Sequence, residues 1–426
     1  MSKHLIDRAA EVLRTNDLGH YTVPTHGLYP FQWNWDSCLT ALGQAHFDEA
    51  RSWQEIETLF EHQWEDGMVP HIVFHKEDDG YFPGPEVWDT GRPVPTTGIT
   101  QPPVAAFAVY RLFQRAKNRE LAKEKARALL PKLHAWHAWF FQCRDPQDTG
   151  LVAVIHPWET GRDNSIDWDE AFERVPTDNV KPFVRRDTQH ANPEHRPTQA
   201  QYERYIWLVQ KFRSLGWDNS KLHDASPFQI VDPGFNGILL RSCADLAKLA
   251  EEFGERTIAE ESRAWAARGI AAMESLWSEA YDQYLCFDRA TGSMIDSPSV
   301  AGILAAVAPI PDANKTTIAK RVEQLAEIAS YPVPSHDPTD PRFDGLRYWR
   351  GPTWLIVNYM IADGLRAGGQ SKTAAMIEKS SLELIKKSGF AEYYDPITAE
   401  PCGGTTFTWT AAMVVEILSG SEGVNA

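Results

Sequence analysis

The chain has 426 residues, of which 43% are apolar, 23% charged and 11% aromatic, the ordinary composition of a folded, water-soluble protein. Its 42 basic and 58 acidic residues leave a net charge of −16, which excludes a general affinity for nucleic-acid phosphates. No apolar run approaches the ~20 residues of a membrane span, and the N-terminus lacks the apolar block of a signal peptide.

Amphipathic spacing predicts helices near residues 2–16, 36–47, 50–64, 103–117, 119–142, 199–214, 236–253, 256–280, 315–329, 352–367, 371–388 and 407–419. Thr198 and Gln201 form a capping box, and Pro352 suits a first helical turn. Gly216, Gly254 and Gly368-Gly369 stand just past helical runs, where a chain reversal needs them. Strand signals are few and short, at 151–155 and 283–287, and no regular β–α alternation points to a parallel sheet. The expected fold is therefore all-α, with helical hairpins stacked into one domain over 1–426. A solenoid should repeat at a fixed period, and none is present. A closed α/α toroid fits better, its long loops (about 65–102, 144–198 and 331–351) shaping an active site at one end. The five cysteines are odd in number and without a CxxC pair. They argue against a disulfide framework and a zinc ribbon, and fit a reducing cytoplasm.

The 16 tryptophans exceed the 13 tyrosines, and many lie in loop-like sequence. Tyr29-Pro-Phe-Gln-Trp-Asn-Trp-Asp36 is too dense in aromatics for a helix face and too polar for a core strand. Aromatic walls with a carboxylate suit a pyranose, which has apolar CH faces and equatorial hydroxyls. Gln32, Asn34 and Asp36 would all need partners if this cluster merely plugged the end of a bundle. Thr97-Gly-Ile-Thr-Gln-Pro-Pro103 is a stiff loop presenting Gln101. In His156-Pro-Trp-Glu-Thr-Gly-Arg-Asp-Asn-Ser165, Asp163 beside Trp158 could hold a proton near neutral pH, or could simply cap a helix or close an Asx-turn. Tyr348-Trp-Arg-Gly-Pro-Thr-Trp354 is a further aromatic cluster. Near the C-terminus Glu392 and Glu400 compete as a base; Glu392, flanked by apolar residues, is the better candidate. His71 and His75 are four apart, but no HExxH surrounds them and Val69-Pro70 spoils a helix there, so no metal site is expected. A GxSxG elbow, a P-loop and a GxGxxG loop are all missing.

Taken in order, Trp33-Asn-Trp-Asp36, Gln101-Pro-Pro103, Glu159-Thr-Gly-Arg-Asp-Asn-Ser165, Trp349-Arg-Gly-Pro-Thr-Trp354 and Glu392-Tyr-Tyr-Asp-Pro396 followed by Phe407-Thr-Trp-Thr410 resemble the inverting glycosidases built on an (α/α)6 barrel. These are the trehalases and glycoside hydrolase family 63. Without a large β-rich domain, and with Arg196-Pro-Thr-Gln-Ala-Gln-Tyr202 in place, the chain is most similar to the bacterial mannosylglycerate and glucosylglycerate hydrolases of that family. The resemblance implies hydrolysis of 2-O-α-D-glucosyl-D-glycerate, together with mannosylglycerate, to hexose and glycerate. It makes Asp163 the general acid and Glu392 the general base. It assigns Tyr29, Trp33, Trp35, Asp36, Gln101, Trp349 and Trp354 to sugar binding, and Arg196 and Tyr202 to the glycerate.

Two residues 229 apart can form such a pair only if the ring closes. Arg196, two positions before the helix cap Thr198, could meet the glycerate carboxylate together with free helix N–H groups; it could equally pair with Asp187 or Glu194 on a solvated loop. Neither metal nor organic cofactor is required by this chemistry. The expected partner is a small-molecule glycoside of glycerate, with neither nucleic acid nor membrane, and a homo-oligomer is left open. An α-glucosidase acting on a neutral di- or oligosaccharide, and a carbohydrate-binding helical scaffold, are the competing readings.

Overall fold

The computed structural model of the protein describes residues 2–189 and 191–422. Among them, six segments form an inner ring: Asn34–Gln44, Ala105–Arg115, Pro233–Glu252, Val300–Leu304 continued by the 3-10 turn Ala305–Val307, Leu355–Ala367 and Thr408–Glu422. Each packs on the next in that order, and Thr408–Glu422 closes the ring on Asn34–Gln44. Six outer helices back them: Ser2–Thr15 lies on Thr408–Glu422, Glu49–Glu61 on Asn34–Gln44, and Arg119–Cys143 on Ala105–Arg115. Arg256–Met273 lies on Pro233–Glu252, Asp312–Ile328 on Ala305–Val307, and Ser371–Ser388 on Leu355–Ala367. This is an (α/α)6 barrel.

Local chemistry starts most of these helices. Asp48 accepts the Arg51 N–H, Asn118 accepts that of Leu121, and Ser299 caps Val300–Leu304. Asp232 accepts the N–H groups of Gly234 and Phe235, with Pro233 in the first turn. The Thr198–Gln201 capping box forms as expected. Inner helices come close where side chains are smallest. A Cβ on Gly43 would stand 2.5 Å from the Ala412 Cα, and one on Gly364 would stand 2.1 Å from the Ala306 carbonyl oxygen.

Several expectations need correction. The helix Gln199–Ser214 forms over its expected span but lies outside the ring, packed on Pro85–Trp88 and Asn219–Ala225. The inner segment Val300–Val307 shows no amphipathic period because Val-Ala-Gly-Ile-Leu-Ala-Ala-Val is buried on every side, so periodicity cannot reveal it. Pro352 is not in a first turn: Leu355–Ala367 begins three residues later, and Thr353 bridges instead to Tyr394. The expected strand 151–155 reduces to one bridge, Val154 to Ile230. The expected strand 283–287 divides into Gln283–Tyr284 and Phe287–Asp288, which join different small sheets. No helix among the described residues is long and apolar enough to cross a membrane.

The chain excursions that carry the cavity-lining residues lead into the N-terminal ends of inner helices. Short antiparallel pairs brace them, such as Gln32–Trp33 with Ile72–Val73 and Tyr393–Tyr394 with Pro401–Cys402. Ring closure through small residues carries a stability prediction. Gly43→Ala should push two inner helices apart and cost about 1–3 kcal/mol, read as a lower thermal or guanidinium midpoint. An unchanged midpoint would show that the ring tolerates extra width at this contact.

Candidate active site

A cavity of about 750 Å³ opens at the N-terminal ends of the inner helices. Tyr29, Trp33, Trp35, Asp36, Gln101, Asp163, Arg196, Tyr202 and Glu392 all line it.

The Tyr29–Asp36 segment shows why its polar residues alternate. Gln32 is consumed structurally: its amide donates to the Glu55 carbonyl at 3.0 Å and to Glu55 Oε1 at 3.2 Å. Asn34 is too, donating to the Pro70 carbonyl at 3.1 Å. Glu55 also accepts from Thr22 and Ser37, which anchors the loop carrying Tyr29. Asp36, in the first turn of its helix, faces the cavity instead. Burial and the nearby Glu392 raise its pKa well above the carboxylate range. Gln101 spends its side-chain carbonyl on the Trp35 N–H at 3.2 Å.

Asp163 is held through its two neighbours. Arg162 is buried and donates to Asp167 and Asp232, each at 2.8 Å, and to Ser165 and Ser299 at 3.0 and 3.3 Å. Asp232 and Ser299 are the N-caps of two successive inner helices. On the other side, the Asn164 side-chain carbonyl accepts the Trp349 N–H at 2.9 Å, just ahead of a third inner helix. Tyr205 donates to the Asp163 backbone carbonyl at 2.7 Å. Gly161 has φ +70°, and a Cβ there would sit 2.5 Å from the Trp35 ring, so only glycine lets this turn close on the tryptophan. Asp163 does not cap the following turn, whose N-cap position is Ser165. Its pKa is raised to about 7, chiefly by burial; Arg196 pulls it down and Glu392 pushes it up.

Glu392 is buried, with Oε1 accepting from the Tyr29 hydroxyl at 3.0 Å and Oε2 from the Gly404 N–H at 3.3 Å. Gly403, at φ +71°, clears room for it, since a Cβ would stand 2.1 Å from Oε2. Burial raises the Glu392 pKa, while Arg196, Tyr29 and the Gly404 N–H oppose the rise. Glu400, by contrast, is exposed on the turn.

Arg196 pairs with Asp187 (Nε to Oδ2, 3.3 Å), as one of its two readings anticipated, but in a buried setting rather than on a solvated loop. Its Nη1 donates to the Tyr29 oxygen at 3.1 Å, and its guanidinium lies 4.1 Å over the Tyr348 ring. At the helix end after Thr198 the capping box engages the Thr198 and Gln201 N–H groups.

Trp349 and Trp354, expected as pocket walls, form the layer behind. They stack flat on one another at 3.9 Å, with Tyr393 4.7 Å beyond, and both indole N–H groups are buried without an acceptor among the described residues. Tyr348 takes their place at the surface. Its φ of +42° turns its side chain out of step with its neighbours, a backbone state that residue type does not announce. Its hydroxyl lies 3.0 Å from that of Tyr29. Sequence reasoning also passed over Tyr81 and Arg186, considered Asp187 only as a partner for Arg196, and set His71 aside as a metal ligand; all four line the cavity. His75 points elsewhere, to Gln32 at 2.8 Å. Among the described residues no group of three or more His, Cys, Asp and Glu side chains converges for a metal.

Comparison with known proteins adds three findings. The profile of the mannosylglycerate hydrolase MGH1-like glycoside hydrolase domain matches residues 29–410. Mannosylglycerate hydrolase MGH1 of Selaginella moellendorffii is 48% identical over 97% of this chain and 85% of its own, and the glucosylglycerate hydrolase of Mycolicibacterium hassiacum is 33% identical over 97% of each. The crystal structure of the GH63 mannosylglycerate hydrolase from Thermus thermophilus, in complex with Tris and D-glycerate, superposes with a TM-score of 0.93 at 46% identity, covering 96% of this chain and 99% of that one.

The clamp on the Asp163 turn predicts the cost of losing it. Arg162→Met would leave the Asp167 and Asp232 charges buried and unpaired, lowering stability by about 3–5 kcal/mol. Arg162→Lys should recover only part, because an ammonium cannot reach both carboxylates in the planar fork. Denaturant unfolding of the three proteins measures this; equal midpoints would remove the clamp from the account.

Proposed function

Because the chain belongs to the mannosylglycerate hydrolase MGH1-like glycoside hydrolase family, we propose that it hydrolyses the α-glycosidic bond of mannosylglycerate and glucosylglycerate, with inversion at the anomeric carbon. The observation that carries the mechanism is the pair of buried carboxyls facing one cavity with unlike surroundings. Asp163, with its pKa near 7, keeps a proton available at neutral pH and delivers it to the glycosidic oxygen. Glu392, steadied by Tyr29 and the Gly404 N–H, takes a proton from the attacking water. Inversion calls for carboxyls ~6.5–9.5 Å apart, leaving room for that water. Trp35, Asp36 and Gln101 hold the hexose, with Tyr29 and Trp33 closing its side. Arg196 and Tyr202 meet the glycerate. Both hexoses are included because relatives bearing both names cover nearly the whole chain. We place the reaction in a reducing cytoplasm, consistent with the five cysteines all being free.

Asp163→Asn and Glu392→Gln should each lower turnover ~10²–10⁴-fold or more while the fold persists, whereas Glu400→Gln should keep near wild-type turnover. NMR of the first product should show the β-anomer of the hexose. Retention of the α-configuration, or an active Glu392→Gln with an inactive Glu400→Gln, would sink the assignment.

The pH profile has a defined sign. kcat/KM should fall above about 7, as Asp163 loses the proton it must donate. The Arg196 guanidinium lowers the pKa of both carboxyls, so Arg196→Gln should shift both limbs of the profile upward. A profile that does not move would separate Arg196 from the catalytic pair.

A further inference from the structure

Arg186 lines the cavity but has no part in the proton transfers or in the contact of Arg196 and Tyr202 with the glycerate. Its neighbours are engaged. Arg185 grips Asp187 with two hydrogen bonds, at 3.0 and 2.7 Å, and lies 4.0 Å over the Tyr202 ring. Asp187 also receives Arg196. The side chain of Arg186, half-buried, makes no hydrogen bond, ion pair or ring contact with any described residue. A guanidinium partly withdrawn from water and without a partner among the described residues favours an incoming anion, most strongly one that can accept two parallel N–H bonds.

Its position is prepared. Three residues before it, Phe183 stacks face to face on Phe82 at 4.9 Å, with an interplanar angle of 5°. That contact ties the segment to the Gly80–Pro83 stretch, which lines the same cavity.

The electrostatics call for a second cation. Asp36, Asp163, Asp187 and Glu392 all face the cavity, and Arg196 is already shared between Asp187 and the Tyr29–Glu392 pair. An anionic aglycone relying on Arg196 alone would compete with those groups for it.

We propose that Arg186 is a specificity-determining residue that binds the aglycone carboxylate from the more exposed side of the cavity, forming a two-arginine clamp with Arg196. This rests on the reading that the substrate is a glycoside of glycerate. Arg186 touches the aglycone and takes no part in proton transfer, so its influence falls on KM and on the choice between acid and neutral substrates.

The test is steady-state kinetics on mannosylglycerate, glucosylglycerate and their methyl esters, for wild type, Arg186→Ala, Arg186→Gln and Arg186→Lys, with inhibition by free D-glycerate measured alongside. In Arg186→Ala and Arg186→Gln the preference for acid over ester should fall roughly tenfold or more through KM, and D-glycerate should inhibit correspondingly less, as expected for a lost charge-assisted hydrogen bond. Arg186→Lys should restore part of both. If wild type prefers the acid and the variants keep that preference, or if acid and ester decline together, the role of Arg186 is overturned while the substrate assignment stands. If wild type cleaves acid and ester alike, the glycerate assignment fails and the clamp fails with it.

Discussion

The buried guanidinium of Arg162 is the interaction on which the site's geometry depends. Withdrawing a charge from water costs several kcal/mol, and this one is offset only because two carboxylates and two hydroxyls converge on it. Two of those partners, Asp232 and Ser299, are the N-caps of consecutive inner helices, so the same oxygens that start the helices also fix the loop. The surplus negative charge of one arginine between two aspartates lies at helix N-termini, where the helix dipoles favour it. Asp163 follows Arg162 directly, and Asn164 ties the next residue to the approach of a third inner helix. The proposed acid sits on a loop, yet it inherits the rigidity of the barrel.

The rest of the cavity repeats this logic. Asp36 and Trp35 ride on the first turn of one inner helix, and Gln101 stands just ahead of another. Glu392 is braced to the last, through the Trp409 indole at 3.4 Å to its carbonyl and the Thr410 hydroxyl at 2.7 Å to the Ala391 carbonyl. Helices pointing their N-termini into one end of a closed ring give a region of positive potential, and carboxyls can be gathered there at lower cost than elsewhere. Burial then raises their pKa values, and Arg196 limits the rise for Asp163 and Glu392. A cavity rich in acids can in this way serve an enzyme that handles an anionic substrate, provided cations are stationed at the aglycone end.

Much of this was legible in the chain. Helix positions follow from amphipathic spacing and from caps such as Thr198–Gln201, which depend only on residues a few places apart. The aromatic and carboxylate segments stand out because a hydroxyl-rich ligand needs apolar faces and acceptors in close succession. Their order along the chain is enough to suggest the glycosidase family to which it belongs. Glu392 was separable from Glu400 by its apolar flanks, and the burial of one and the exposure of the other follow that contrast.

Other features depend on contacts between residues far apart, and no local pattern encodes those. Gln199–Ser214 has the period of a barrel helix but packs outside the ring, while the uniformly apolar Val300–Val307 takes the inner place. Within Gln32, Asn34 and Asp36, similar in polarity, two are consumed by Glu55 and Pro70 and the third is left for the cavity. Tyr348 reaches the cavity and Trp349 does not, because a left-handed backbone at Tyr348 and the flat stacking of Trp349 on Trp354 orient them differently. Arg185, Arg186 and Arg196 are alike as arginines. Folding, which brings Asp187 and Tyr29 to two of them and leaves the third without a described partner, is what sets them apart.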